Sequence, residues 1–240
     1  MKLMSFYTRF APCYEQAFPF RQEVYAFLRE HAGAPGGTVL DAGCGPGHYC
    51  GRFLQEGFRV TGIDLDRAMI DGASAAYPGG AFHCMDITAI DALREQFGLI
   101  YSIGNVLAHL PQESLEGFLL RVYKARGEGG WWILQVVNWD YLLALDEYQF
   151  PVKFLSGGEA EFHRRYSAIS PERALFEVEL VSSGKTIFCD RSTLYPVVSS
   201  RFMQLHEAAG FFCEGVYGGF DRSPFTPQRN SGLVMVFRRR

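Results

Sequence analysis

The sequence predicts an α/β protein built on a doubly wound, seven-stranded, mostly parallel sheet, interrupted by an antiparallel β insertion. Three observations predict it. From Gly37 to Asn138, short apolar runs alternate with amphipathic stretches, the pattern of strands buried on both faces and joined by crossover helices. After Asn138, three strand-like runs follow one another with no helical stretch between them, as antiparallel strands do. A final helix and two further strands then complete the main sheet.

In chain order, residues 1–36 form an N-terminal helical segment. Its clearest helix is Phe20–His31, where Phe20, Val24, Phe27 and Leu28 recur at helical spacing. Residues 37–138 form the core. Its parallel strands are Thr38–Leu40, Arg59–Ile63, Ala81–Cys84, Leu99–Ile103 and Trp131–Val137. Its helices are Tyr49–Glu56, Arg67–Ala76, Ile90–Gln96 and Gln112–Lys124, with Gly57, Pro78-Gly79-Gly80, Gly98, Pro111 and Gly127 to Gly130 at the joints. Residues 139–198 are the β-rich insertion, with strands Glu161–Ile169, Ala174–Val181 and Thr186–Tyr195 and a hairpin turn over Ser182-Ser183-Gly184-Lys185. Residues 199–240 return to the core as the helix Arg201–Ala209 and the closing strands Phe211–Tyr217 and Leu233–Phe237.

Composition narrows the function classes. A chain of 240 residues suits one large domain with an insertion. The formal net charge of −3 gives no pull toward nucleic acid. Arg238, Arg239 and Arg240 are the one tight basic cluster and read as a solvated tail. The six cysteines are scattered without a C-x-x-C pair, which disfavours a disulfide framework or a zinc site and fits a reducing cytoplasm. No signal peptide and no membrane span is read from the apolar runs, and no metal site from the His and Cys spacing.

The chemistry concentrates at Val39-Leu40-Asp41-Ala42-Gly43-Cys44-Gly45-Pro46-Gly47. An apolar strand runs into a carboxylate, then into alternate glycines, then into a helix. Glycines there let the backbone approach a ligand that sits beyond the carboxyl ends of the strands. A dinucleotide-binding turn favours G-x-G-x-x-G so that a pyrophosphate rests on the helix N-terminus. Here Gly47 comes one place early, and Asp41 would repel a pyrophosphate. A ligand with a free ammonium and no phosphate suits the turn better. The next strand ends at Asp64, about 20 residues beyond the glycines, the spacing of a carboxylate that accepts hydrogen bonds from ribose hydroxyls. Asp66 fits the helix-capping job.

With these residues the sequence resembles the class I S-adenosylmethionine-dependent methyltransferases, whose first motif D-A-G-C-G-P-G matches closely. The resemblance implies a Rossmann-like fold, S-adenosylmethionine as cofactor and methyl transfer to nitrogen or oxygen of a small molecule. It assigns Asp41, Gly43, Cys44, Gly45 and Gly47 to the loop around the cofactor, and Asp64 and Leu65 to the ribose. Asp86 and Ile87, in His83-Cys84-Met85-Asp86-Ile87, stand where the family meets the adenine. Gly104 and Asn105 stand at the sulfonium side of the pocket. In related enzymes an N-terminal segment with tyrosines folds over the cofactor, so residues 1–36 are expected to cover the site, with Tyr7 or Tyr14 near the methionine part; helix packing is the other reading of Phe6, Tyr7, Phe10, Tyr14 and Phe18. The insertion is the expected substrate lid.

On the acceptor side the sequence names only His109 and Asn138. His109 titrates near neutrality and is a possible general base, against a reading as a packed histidine; His163 is less constrained still. Two alternatives stay open: an NAD(P)-dependent oxidoreductase on a related fold, and a protein that binds S-adenosylmethionine without catalysis. A nucleic-acid substrate is not expected.

Overall fold

The computed structural model describes residues 14–239; Phe6, Tyr7, Phe10, Cys13 and Arg240 lie outside them, as does the side chain of Arg239. Residues 14–17 are helical. Helix α1 (Gln22–Glu30) buries Val24, Tyr25, Phe27 and Leu28 along one face. The core then alternates β1 (Thr38–Ala42), α2 (His48–Gln55), β2 (Arg59–Asp64), α3 (Arg67–Ala76) and β3 (Ala81–Cys84). After β4 (Phe97–Ser102) come α4 (Gln112–Ala125) and β5 (Arg126–Val137).

The strands lie in the order β11-β12-β5-β4-β1-β2-β3, where β11 is Phe211–Tyr217 and β12 is Gly232–Arg239. Neighbours from β5 to β3 pair in parallel, and β12 runs antiparallel to both β5 and β11. Successive residues of β1 face opposite cores. Val39 packs with Phe27, Leu28 and Phe53 of α1 and α2, while Leu40 packs with Leu119 and Phe202 of α4 and α6 (Ser199–Ala208). Burial on both faces explains why the strand reads as a continuous apolar run rather than an alternating one. Strand order reverses between β1 and β4, and in such sheets the ligand crevice opens at the carboxyl ends of those two strands.

A second sheet, in the order β10-β9-β8-β6 with β7 also paired to β8, is antiparallel throughout. Its main strands are β8 (Ala160–Ser167), β9 (Ala174–Ser182) and β10 (Lys185–Leu194). Ser183 and Gly184 have positive φ at the expected hairpin turn. Two short strands were not anticipated, β6 (Tyr148–Gln149) and β7 (Lys153–Leu155); pieces this short carry too little alternation to read.

Other differences have local causes. The expected helix Ile90–Gln96 is a kinked 3-10 segment, Ile87–Leu93, that ends in a left-handed Arg94. Its Asp86 cap starts the turn earlier than the apolar spacing suggested, with Oδ1 accepting from Thr88 N at 2.7 Å. Arg238 is solvated, as expected, but belongs to β12 rather than to a tail: its exposed side chain lies 4.3 Å over the Trp131 ring and 3.5 Å from Glu214. The guanidinium spreads over the indole, which its aliphatic stem also shields. Asn138 is fully buried. It caps α5 (Trp139–Leu142) through Oδ1, and its amide donates to Pro227 O at 2.7 Å and Asn230 O at 2.9 Å. With all these groups committed to backbone, Asn138 is a structural clamp between β5 and the 227–230 loop, which removes it as a catalytic candidate.

Candidate functional site

The site forms where the sheet changes direction, and the glycine loop shapes it. Gly43, Gly45 and Gly47 have φ of +102°, +51° and +82°, a region that L side chains rarely adopt. Gly43 N and Cys44 N both donate to Ile63 O, at 2.8 and 2.9 Å, so the loop is tied to the end of β2. A Cβ on Gly43 would lie 2.5 Å from Val106 Cγ2, so only glycine fits. Gly47 serves a different purpose from the one expected. It does not line the cavities described below; it is the left-handed residue before α2, against Ala73, Tyr77 and Phe82. Its missing Cβ brings helix and sheet together rather than admitting ligand.

Two carboxylates flank the loop. Asp64 Oδ2 accepts from Gly45 N at 2.9 Å, and Oδ1 accepts from Asp66 N at 2.9 Å. Asp64 therefore braces the loop it faces. Asp66 caps α3, accepting from Ala68 N at 2.9 Å and Met69 N at 3.1 Å. Asp41 is 2% exposed; Cys50 Sγ donates to its Oδ2 at 3.6 Å, the Tyr101 hydroxyl lies beside the carboxyl, and Oδ1 has no well-formed hydrogen bond among the described residues. Burial pushes its pKa up to about 7, against a downward pull from Tyr101 and Cys50. A buried carboxylate oxygen left without a well-formed hydrogen bond is costly, and a cationic ligand would relieve it.

The turn after β4 is held just as firmly. Gly104 N donates to Gln135 Oε1 at 2.8 Å, and Asn105, left-handed at φ +68°, accepts from Val137 N at 3.0 Å through Oδ1. Asn tolerates that backbone better than most residues. These bonds pin the turn to β5 and leave the Asn105 amide NH2 for other uses.

Two adjoining cavities result. One, of about 220 Å³, is lined by Asp64, Leu65, Asp86 and Ile87, with Met69 below. The other, of about 360 Å³, is lined by Asp41, Cys44, Asn105 and Gln135 and reaches the second sheet. Tyr14, Gly43, Gly104 and His109 line both. Gly45 lines the first. The structure thus gathers every expected cofactor residue except Gly47 around two cavities that share lining residues.

His109 sits at the junction. Its Nδ1 is buried without a partner among the described residues, and burial lowers its pKa to about 4. The ring is therefore neutral near pH 7. By contrast, His206 is an ordinary core histidine, fully buried and accepting from Trp132 Nε1 at 2.9 Å. His163, 3.0 Å from Glu161, lines a separate, open cavity of about 880 Å³ on the second sheet, which His109 and Arg164 also border.

Comparison with known proteins agrees with this geometry. Residues 39–130 match a methyltransferase domain family. The span contains the glycine loop, Asp64, Asp86 and the β4 turn. The fold is similar to that of the CcbJ methyltransferase from Streptomyces caelestis, with a TM-score of 0.78 over 91% of this chain and 94% of that one at 18% identity. Residues 39–130 thus carry a methyltransferase domain, and the whole chain has the fold of S-adenosylmethionine-dependent methyltransferases. Curated relatives of the chain include a malonyl-[acyl-carrier protein] O-methyltransferase from Hamiltonella defensa, 32% identical over 42% of this chain. Another is a ubiquinone biosynthesis O-methyltransferase from Pseudomonas paraeruginosa, 29% identical over 58% of this chain. The matches cover 39% and 62% of those relatives' lengths.

Sequence reasoning missed several groups that line the larger of the two cavities, chief among them Gln135, Lys153 and Arg164. Gln135 carried a legible signal, as a lone polar residue in the apolar run Trp131–Val137. Arg164 carried another, since strand alternation puts it on the same face as Phe162 and Tyr166. Lys153 sits on a strand too short to announce itself. No helix among the described residues is long and apolar enough to cross a membrane.

Proposed function

We propose that the protein transfers the methyl group of S-adenosylmethionine to a nitrogen or oxygen of a small molecule. The observation that carries this reading is Asp41 Oδ1, without a well-formed hydrogen bond and buried beside a glycine loop whose other flank is Asp64. A phosphate-free nucleoside with an ammonium suits that pair, whereas a pyrophosphate would meet carboxylates on both sides, which disfavours a nicotinamide-dependent oxidoreductase.

When bound, S-adenosylmethionine supplies an activated methyl group on a sulfonium. In this reading Asp41 holds the ammonium and Asp64 accepts from the ribose hydroxyls through its remaining lone pairs. Asp86 meets the adenine amino group, while Leu65 and Ile87 pack against the ring. Gly43 and Gly104 present bare backbone where the two cavities join. Tyr14 covers the loop from above, with its ring 3.8 Å (at Cζ) from where a Gly45 Cβ would stand. The main contribution of the site is positioning, which is worth roughly 7–11 kcal/mol when nucleophile and electrophile are held in line. Tyr14 and the insertion 139–198 act as covers that exclude water. His109, neutral and unpartnered, accepts a hydrogen bond from the acceptor and orients its lone pair. With a pKa near 4 it is a weak base, so proton removal is not its main task.

Incubation with S-adenosylmethionine labelled in the methyl group, against a panel of small acids, phenols and amines, tests the reading. Label should appear in an acceptor. Tight nucleoside binding without transfer to any acceptor would favour a non-catalytic binding protein, and a lack of nucleoside binding would overturn the reading outright.

A further inference from the structure

The larger cofactor-side cavity has a second end, and its charge is unbalanced. Lys153 of β7 and Arg164 of β8 line it from the inserted sheet, and Arg21 lines it from the start of α1. Lys153 Nζ donates to Ala17 O and lies 5.0 Å from the Phe18 ring centroid. The Arg164 guanidinium lies 4.8 Å from the Phe150 centroid and donates to Pro151 O at 3.2 Å, while its Nε is buried without a partner. Among the described residues, neither Lys153 nor Arg164 has a carboxylate within 4.0 Å. Residues 1–13 contain no Asp or Glu that might supply one. Burial lowers the Lys153 pKa, and Arg164 and Arg21 lower it further.

Asp41, the acid of this cavity, is no counter-ion for them, since the groups that perturb it are Tyr101, Cys50 and Asp64. Lys153 and Arg164 are half-buried and held only by backbone carbonyls and aromatic faces, which leaves their charge to be met by a ligand of opposite sign. The cofactor answers only part of the imbalance. Its single carboxylate can pair with one cation, and its sulfonium adds another positive charge. The walls near these cations are aromatic, formed by Phe18, Phe150, Tyr166 and Phe176.

We infer that Lys153 and Arg164 form the acceptor-recognition pair, and that the acceptor is a planar or aromatic small molecule bearing a carboxylate. This rests on the methyltransferase reading above. A protonated amine acceptor would be repelled from the same end, so charge is the discriminating property of the pocket.

Three probes of similar shape separate the cases: phenylacetate, phenylacetamide and phenethylamine. Their binding to the full chain is measured by calorimetry with and without S-adenosylhomocysteine. Phenylacetate should bind at least about tenfold more tightly than the amide, as expected for a charge-assisted contact, and the amine should bind more weakly than either. Lys153→Met should abolish the acid-over-amide preference while leaving S-adenosylhomocysteine affinity within about twofold, and Arg164→Gln should do the same, since neither cation is assigned to the nucleoside. Equal binding of acid and amide, or no binding of the acid, would overturn the inference. So would a large loss of S-adenosylhomocysteine affinity in Lys153→Met, which would give the cations to the cofactor's own carboxylate. Failure of S-adenosylhomocysteine itself to bind strikes the cofactor reading instead, and the charge preference is then still read on the nucleoside-free protein.

Discussion

Asp41→Asn tests the electrostatics of the loop. Burial raises the Asp41 pKa from an ordinary 3.8 to about 7. The native state thus holds this proton more tightly than the unfolded chain does. Stability conferred by the protonated form is complete below about pH 4 and is lost as pH rises through 7. A rise of roughly three pH units corresponds to roughly 4 kcal/mol, of which roughly 3 kcal/mol falls between pH 5 and 8. Asn carries no such titration, so urea unfolding at pH 5, 6, 7 and 8 should show the two chains diverging. The wild type should lose roughly 3 kcal/mol relative to Asp41→Asn across that range, whatever constant offset the amide introduces. Cofactor binding supplies the second readout. An ammonium needs the ionised carboxylate, so wild-type affinity for S-adenosylhomocysteine should fall about tenfold for each pH unit below 7, and that of Asp41→Asn should be weaker and flat. A stability difference that stays constant from pH 5 to 8 would refute the argument, because it would mean that Asp41 is ionised in the folded protein throughout.

Other outcomes follow from the same geometry. Asp64→Ala should weaken S-adenosylhomocysteine by on the order of a hundredfold, since it removes both a ribose acceptor and the brace on Gly45 N; unchanged affinity in calorimetry contradicts the ribose assignment. Gly43→Ala should destabilise the chain by about 2 kcal/mol or more, whereas Gly45→Ala, whose Cβ would stop 3.7 Å from Tyr14 Oη, should cost only about 1 kcal/mol of backbone strain; equal melting temperatures would refute the steric distinction. Asn138→Ala should lose roughly 3 kcal/mol of stability through two unsatisfied backbone carbonyls and a lost cap, while the folded fraction keeps its kcat; a kcat that collapses with unchanged stability would restore Asn138 as a catalytic residue.

The chain order of elements was legible because each signal is local. Buried parallel strands read as apolar runs, and Gly and Pro mark the joints. The clustering of the residues assigned to the cofactor was legible for the same reason. Asp41, Gly43 and Gly45 lie within one turn, and Asp64 ends the next strand, so sequence spacing alone fixes their relation at the carboxyl ends of β1 and β2. Segments ruled by tertiary contacts were not legible. The placement of Arg238 over Trp131 and beside Glu214 depends on neighbours distant in sequence.

What the sequence determined by itself is the sheet and the nucleoside end of the site, because contiguous residues with fixed strand and turn periodicities build both. Only the folded chain decided that Asn138 clamps a loop, that His109 stands unpaired at a junction, and that Lys153 and Arg164 face the same space as Asp41. Those relations join residues more than a hundred positions apart across two sheets, and side-chain alternation within one strand says nothing of which partner the other sheet will bring.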